Sequence, residues 1–191
     1  GDTLLHLAVR GEHWNIVTFL LTLRNIDRNV INNDKNSALH EAVRKGHLPT
    51  ITTLLSQSKN INLQNSSGNT ALHLAIGHGH FDAAKQIVDS GAIVNLCNDS
   101  SLGGNTPLHL LAREGTERDF NLFQCWIDKQ KSYYFNDIAK AIHIKNTEGN
   151  TVLHLAMKGN NLKLVDLLIN NGAEIIKKNK FAEYLGTNEE D

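Results

Sequence analysis

The sequence predicts an all-α solenoid of stacked helix-turn-helix units with projecting hairpin loops, and three observations carry that prediction. A six-residue phrase returns five times, as Thr3-Leu4-Leu5-His6-Leu7-Ala8, Ser37-Ala38-Leu39-His40-Glu41-Ala42, Thr70-Ala71-Leu72-His73-Leu74-Ala75, Thr106-Pro107-Leu108-His109-Leu110-Leu111 and Thr151-Val152-Leu153-His154-Leu155-Ala156. Its histidines lie 34, 33, 36 and 45 residues apart, the period of a supersecondary unit. Within each phrase the apolar residues fall at the spacing of one helix face, as in Leu39, Ala42 and Val43 or Leu72, Ala75 and Ile76.

Each unit opens with a short helix whose preceding Thr or Ser can accept a bond from an unpaired amide at the helix start. A break such as Lys45-Gly46-His47 or His78-Gly79-His80 follows. A second apolar stripe then begins: Ile16, Leu20 and Leu21; Ile51, Leu54 and Leu55; Ala84, Ile87 and Val88; Phe120, Phe123 and Ile127; Val165, Leu168 and Ile169. Between these helix hairpins lie polar, turn-forming stretches, Asn32-Asn33-Asp34-Lys35, Asn65-Ser66-Ser67-Gly68 and Asn146-Thr147-Glu148-Gly149. The third spacing is lengthened by a loop at Asn98 to Gly104. The fourth is lengthened around Ile127 to Ile144, where a prolonged second helix and an amphipathic turn or short helix are expected.

The phrases, the Gly-His breaks, the paired leucines and the run Gly91-Ala92-Ile93-Val94-Asn95 resemble ankyrin repeats over nearly the whole chain. The resemblance implies antiparallel helix pairs, loops set roughly at right angles to them, a concave face made by the first helices and loop tips, and the holding of a partner protein. It predicts one domain over 1–191, with units at about 1–31, 32–64, 65–97, 98–145 with its insertion and 146–178, and a degenerate C-terminal cap at 179–191. Departures are local. Only Pro107 keeps a proline at the helix start, and Glu12 and Asn160 replace the glycine between helices. Gly1 falls inside a loop of the repeat, so a preceding segment is expected, with Leu4, Trp14 and Phe19 exposed.

Composition narrows the function. A net charge of −1 gives no global field toward DNA or anionic lipid. Cys97 and Cys125 lie in different repeats and read as packing residues in a reducing compartment, so a cytoplasmic or nuclear location is expected, or the host cytosol for a secreted effector. The 23 asparagines read as a hint of an AT-rich coding genome, which makes such an effector credible. The chain is expected to act as a monomer, with no membrane insertion and no direct nucleic-acid contact.

Ten histidines invite an enzymatic or metal reading, but His6, His40, His73, His109 and His154 share one slot of the unit and His13, His47 and His80 another. In the family the first slot bridges neighbouring repeats. His78 and His80 have no third ligand at metal-site spacing, Gly77-His78-Gly79 and Leu102-Gly103-Gly104 lack the rest of a phosphate loop, and Cys125 lies in an apolar helix beside Trp126. No catalytic residue, cofactor or metal is therefore assigned.

The residues the repeat leaves free are the binding candidates. Four residues beyond each motif histidine stand Arg10, Arg44, Gly77, Arg113 and Lys158, a slot that the family places toward the concave face. With Lys45 and His78 beside them they form a basic ladder suited to an acidic or phosphorylated protein segment. Asp34, Glu41, Glu114 and Glu148 are near enough to offset it. Loop tips Asn33, Asp34, Ser66, Ser67, Asp99, Leu102, Thr147 and Glu148 form a second candidate surface, and Tyr133 and Tyr134 in the long fourth unit a third. The leading function is a non-catalytic adaptor, scaffold or inhibitor within a larger protein. The alternatives are a substrate-recruiting region of an enzyme or effector, and an inhibitor of Rel-type transcription factors, which the opening and the enlarged unit resemble.

Overall fold

The computed structural model describes residues 1–58, 60–133 and 136–175. Among them the chain forms eleven α-helices and no strand. It divides into two compact units, Gly1–Ile93 and Val94–Asp191.

The first unit holds three helix pairs: α1 (Leu4–Arg10) with α2 (Trp14–Thr22), α3 (Ala38–Lys45) with α4 (Leu48–Gln57), and α5 (Ala71–Gly77) with α6 (Phe81–Asp89). First helices pack in one row, α1 on α3 on α5, and second helices in another, α2 on α4 on α6. Leu5, Val9, Val17, Leu39, Val43, Ile51, Leu72 and Ile87 fill the space between the rows. The second unit holds a 3-10 turn at Ser100–Leu102, the pairs α7 (Pro107–Glu114) with α8 (Glu117–Tyr133) and α10 (Val152–Lys158) with α11 (Leu162–Asn170), and an additional helix α9 (Asn136–Ile142). The expected lengthening of the fourth unit is therefore a long α8 followed by α9. Ile138, Ala141 and Ile142 of α9 are buried, as are Phe123, Trp126 and Ile127 of α8.

Every first helix starts the same way. Thr3, Ser37, Thr70, Thr106 and Thr151 cap it, and the histidine at the third helical position completes a reciprocal capping box. The backbone amide of the capping residue donates to the imidazole Nδ1 at 3.1 to 3.3 Å in all five repeats. That leaves Nδ1 unprotonated and puts the ring proton on Nε2. The Nε2–H then donates to the following loop: His6 to the Asn36 carbonyl at 2.9 Å, His40 to those of Leu63 and Asn69 at 3.1 and 3.2 Å, and His109 to that of Asn150 at 3.0 Å.

The loops carry a second repeated device that the composition had suggested was a mark of source. Asn32, Asn65 and Asn146 each close their loop with a backbone bond to the residue four on, at 2.9 to 3.0 Å. Each side-chain oxygen accepts two amides inside the loop. Each side-chain amide reaches back to the preceding loop: Asn32 to Asp2, Asn65 to Asn36, and Asn146 to Asn105. Asparagine suits this slot because its short amide side chain reaches the amides of its own turn with its oxygen and leaves its NH2 to donate to the neighbouring loop.

Some slots are filled against conformational preference. Glu12, Lys35 and Asn160 have φ of 57°, 56° and 53°. Other repeats place Gly46, Gly79 and Gly115, or Gly68 and Gly149, at the corresponding positions. A side chain in this left-handed region costs about 1–2 kcal/mol, partly offset because glycine loses more entropy on folding. Lys35→Gly should therefore raise unfolding stability by about 0.5–1 kcal/mol in urea titration.

Burial of His40 depresses its pKa, while the carbonyls of Asn69 and Leu63 pull it up and His6 pushes it down. Burial likewise depresses that of His109 against the carbonyls of Asn150 and Ile144. The unfolded chain then binds more protons than the folded one below the ordinary histidine value of about 6.5. Stability is complete above that pH and falls as the solution is acidified toward the folded-state values. His40→Ala should cost about 1–3 kcal/mol at neutral pH by orphaning its partners, and should flatten the acid-side loss; melting curves across this range check both.

Candidate functional site

The ladder residues of the first unit sit on a buried acid. Glu41 follows the motif histidine, a position held by Leu7, Leu74, Leu110 and Leu155 in the other repeats. Its side chain is only 2% exposed. Arg44, one helical turn on, bonds Glu41 Oε2 at 2.6 Å, Asn36 Nδ2 donates to Oε1 at 3.2 Å, and Arg10 lies 3.8 Å from Oε1. Arg10 also holds Asp2 at 2.8 Å, and Lys45 holds Glu12 at 2.8 Å across repeats. The carboxyl of Asp2 is held below the usual range, first by Asn32 and then by Arg10; that of Glu12 is held down by Lys45. These three cations thus come with three carboxylates, and the patch they form has little net charge.

His78 is exposed beyond the end of α5, its ring 6.0 Å from that of His80. Partial burial, His80 and Arg44 all depress its pKa, which places Arg44 within electrostatic reach. In the second unit Arg113 and Lys158 are exposed at the last turns of α7 and α10.

Most loop-tip candidates are exposed but also hold the loops together. Asp34 gives its carbonyl to the Ser66 amide at 2.8 Å, and Ser67 donates its amide to Asn65 Oδ1 at 3.0 Å. Asp99 Oδ1 accepts the Ser101 amide at 2.8 Å, and the hydrogen bonds from Ser101 keep its carboxyl below the usual range. Thr147 donates its amide and its hydroxyl to the Gly103 carbonyl, each at 3.0 Å, and Glu148 accepts from Asn150 Nδ2 at 2.8 Å. Asn33 is exposed, and Leu102 is 48% exposed at the end of the 3-10 turn. Tyr134 and the side chain of Tyr133 lie outside the described residues, as does the cap expected at 179–191.

The cysteines differ from the packing residues expected. Cys97 is exposed and Cys125 half-buried, beside an open depression lined by Asn121, Gln124, Asp128 and Lys129. At the first helix pair Leu4 and Phe19 are 69% and 62% exposed, whereas Trp14 is half-buried with its indole stacked on His47 at 3.7 Å. Among the described residues no three His, Cys, Asp or Glu side chains converge on a metal-sized site, and no helix is long and apolar enough to cross a membrane.

Replacing a buried ionic group with an apolar one is often neutral, whereas stranding it is costly. Glu41→Leu, the residue of the other repeats, should leave unfolding stability within about 1 kcal/mol, because Arg10 and Arg44 are already half exposed. Arg44→Ala should cost about 1–3 kcal/mol by leaving Glu41 underpaired. Paired urea titrations check the contrast.

Sequence profiles of ankyrin repeats match residues 1–33 as a single repeat, 39–86 as repeats in many copies and 94–184 as repeats in three copies. No curated protein matches the chain. Among solved structures it is similar to a chain in the complex of the predatory endopeptidase Bd0816 from Bdellovibrio bacteriovorus with immunity protein Bd3460. The TM-score is 0.74 and the identity 27%, over 95% of this chain and 87% of that one. Both the profiles along the chain and the helix pairs with their bridging histidines place it in one family: the chain belongs to the ankyrin repeats, a protein-interaction fold.

Proposed function

We propose that the chain is a non-catalytic binding module that holds one partner protein and acts as an inhibitor rather than as an adaptor or scaffold. The observation that supports this most is its likeness, over 95% of its length, to a chain of an endopeptidase and immunity-protein complex. The contact surface in this reading is the exposed ends of the first helices together with the loop tips. The partner contributes an acidic or phosphorylated segment, and the chain acts as a monomer in the cytosol or nucleus. Charge-assisted bonds to guanidinium and ammonium groups supply orientation and association rate.

In the first unit Asp2, Glu12 and Glu41 already hold Arg10, Lys45 and Arg44. Reversing Arg44 would also set a like charge beside a buried carboxylate and confuse binding with folding. The test therefore leaves Glu41 and its partners unchanged. Affinity capture from cells of the source organism, read by mass spectrometry, should return a partner stoichiometric with the wild type. Arg113→Glu with Lys158→Glu should deplete it, and rising salt should weaken it. Capture that ignores both changes rules out the acidic segment.

A further inference from the structure

Gly77 interrupts the ladder. The other repeats place Arg10, Arg44, Arg113 or Lys158 in its slot, four residues beyond the motif histidine. It is the last residue of α5 and lies outside the left-handed region that glycine is needed for. A Cβ added there would meet nothing within 4 Å. Among the described residues, the other glycines of ordinary φ beyond Gly1 differ. A Cβ on Gly11 would come within 2.8 Å of the His13 ring, and one on Gly159 within 3.3 Å of the Ala112 and Arg113 carbonyls. Those two serve close packing.

Neither conformation nor packing accounts for glycine at position 77, and a helical glycine is less stable than alanine. An exposed helical glycine has no Cβ to shield it, so its backbone is open to close approach from outside. The surroundings define what could approach. Leu74, one turn earlier, is half-buried, and His78 follows with its exposed ring. Arg44, whose side chain is 45% exposed, is anchored on Glu41 by one nitrogen, and a guanidinium has donors in more than one direction.

We propose that Gly77 is a docking notch, over which the main chain of an acidic partner segment passes closely enough to set a carboxylate on the outward donors of Arg44. The inference rests on the acidic-segment reading above and gives that segment a position in the first unit. Because Arg44 is already fixed by Glu41, the carboxylate meets a guanidinium that need not be ordered on binding.

A displayed library of random dodecapeptides is the probe, selected on the full chain. The wild type should enrich peptides with Asp or Glu next to a small residue. Their affinity should fall by about tenfold or more on Gly77→Gln and by less on Gly77→Ala. Both variants should melt higher than the wild type, so that loss of binding cannot be loss of fold. If the selected acidic peptides bind Gly77→Gln undiminished but lose affinity on Arg113→Glu with Lys158→Glu, the notch is wrong and the acidic-segment reading stands. A selection that enriches no acidic peptide overturns both. A lower melting temperature for Gly77→Ala would show that the glycine serves the fold, and would overturn the notch.

Discussion

The structure depends on one hydrogen-bond chain repeated along the sequence: capping amide to imidazole Nδ1, then imidazole Nε2–H to a carbonyl of the next loop. The first bond belongs to a helix of seven or eight residues, too short to persist in water by itself. The second belongs to the stack. One neutral imidazole therefore couples helix initiation to the docking of the following loop, and neither half is complete without the other. This is why His6, His40 and His109 form a structural set: both nitrogens of each ring are engaged within the stack.

The asparagines extend the same logic to the loops. Each loop asparagine satisfies amides of its own turn and donates to the turn before it, so loop shape and loop stacking are fixed by one side chain. Asp2 takes the acceptor end of this arrangement for Asn32 and also holds Arg10, which ties the loop to the ladder. The strained positions Glu12, Lys35 and Asn160 show how much the arrangement tolerates: a residue with positive φ persists where the surrounding bonds determine the turn.

Much of this is legible in the sequence itself. The phrase gave the helix starts, the caps and the histidine slot because all three are local and recur in register. The lengthened fourth unit was readable from the 45-residue interval between His109 and His154 as a prolonged second helix and an amphipathic turn or short helix. The asparagine device was missed although its signal was present: Asn32, Asn65 and Asn146 precede their motif histidines by the same interval, as do Asn36, Asn69, Asn105 and Asn150 by a shorter one. Counting asparagines as composition discarded their register. Glu41 was harder to see. Its burial comes from Arg10 on a neighbouring helix, from Asn36 and from Arg44 together, and no single segment of sequence reports that convergence.

The convergence changes what a basic ladder means. Four cations in one slot suggest a positive strip, yet Arg10 and Arg44 share a buried carboxylate and Lys45 has its own, so the first unit offers oriented donors and little field. Oriented donors favour recognition that is short-ranged and geometric, set by how closely a partner can approach. A field would favour recognition set by how many charges the partner carries. Substitutions that only alter charge near α1 and α3 therefore probe the fold through Glu41 before they probe binding. Substitutions that alter approach without touching that acid, such as those at Gly77, separate the two.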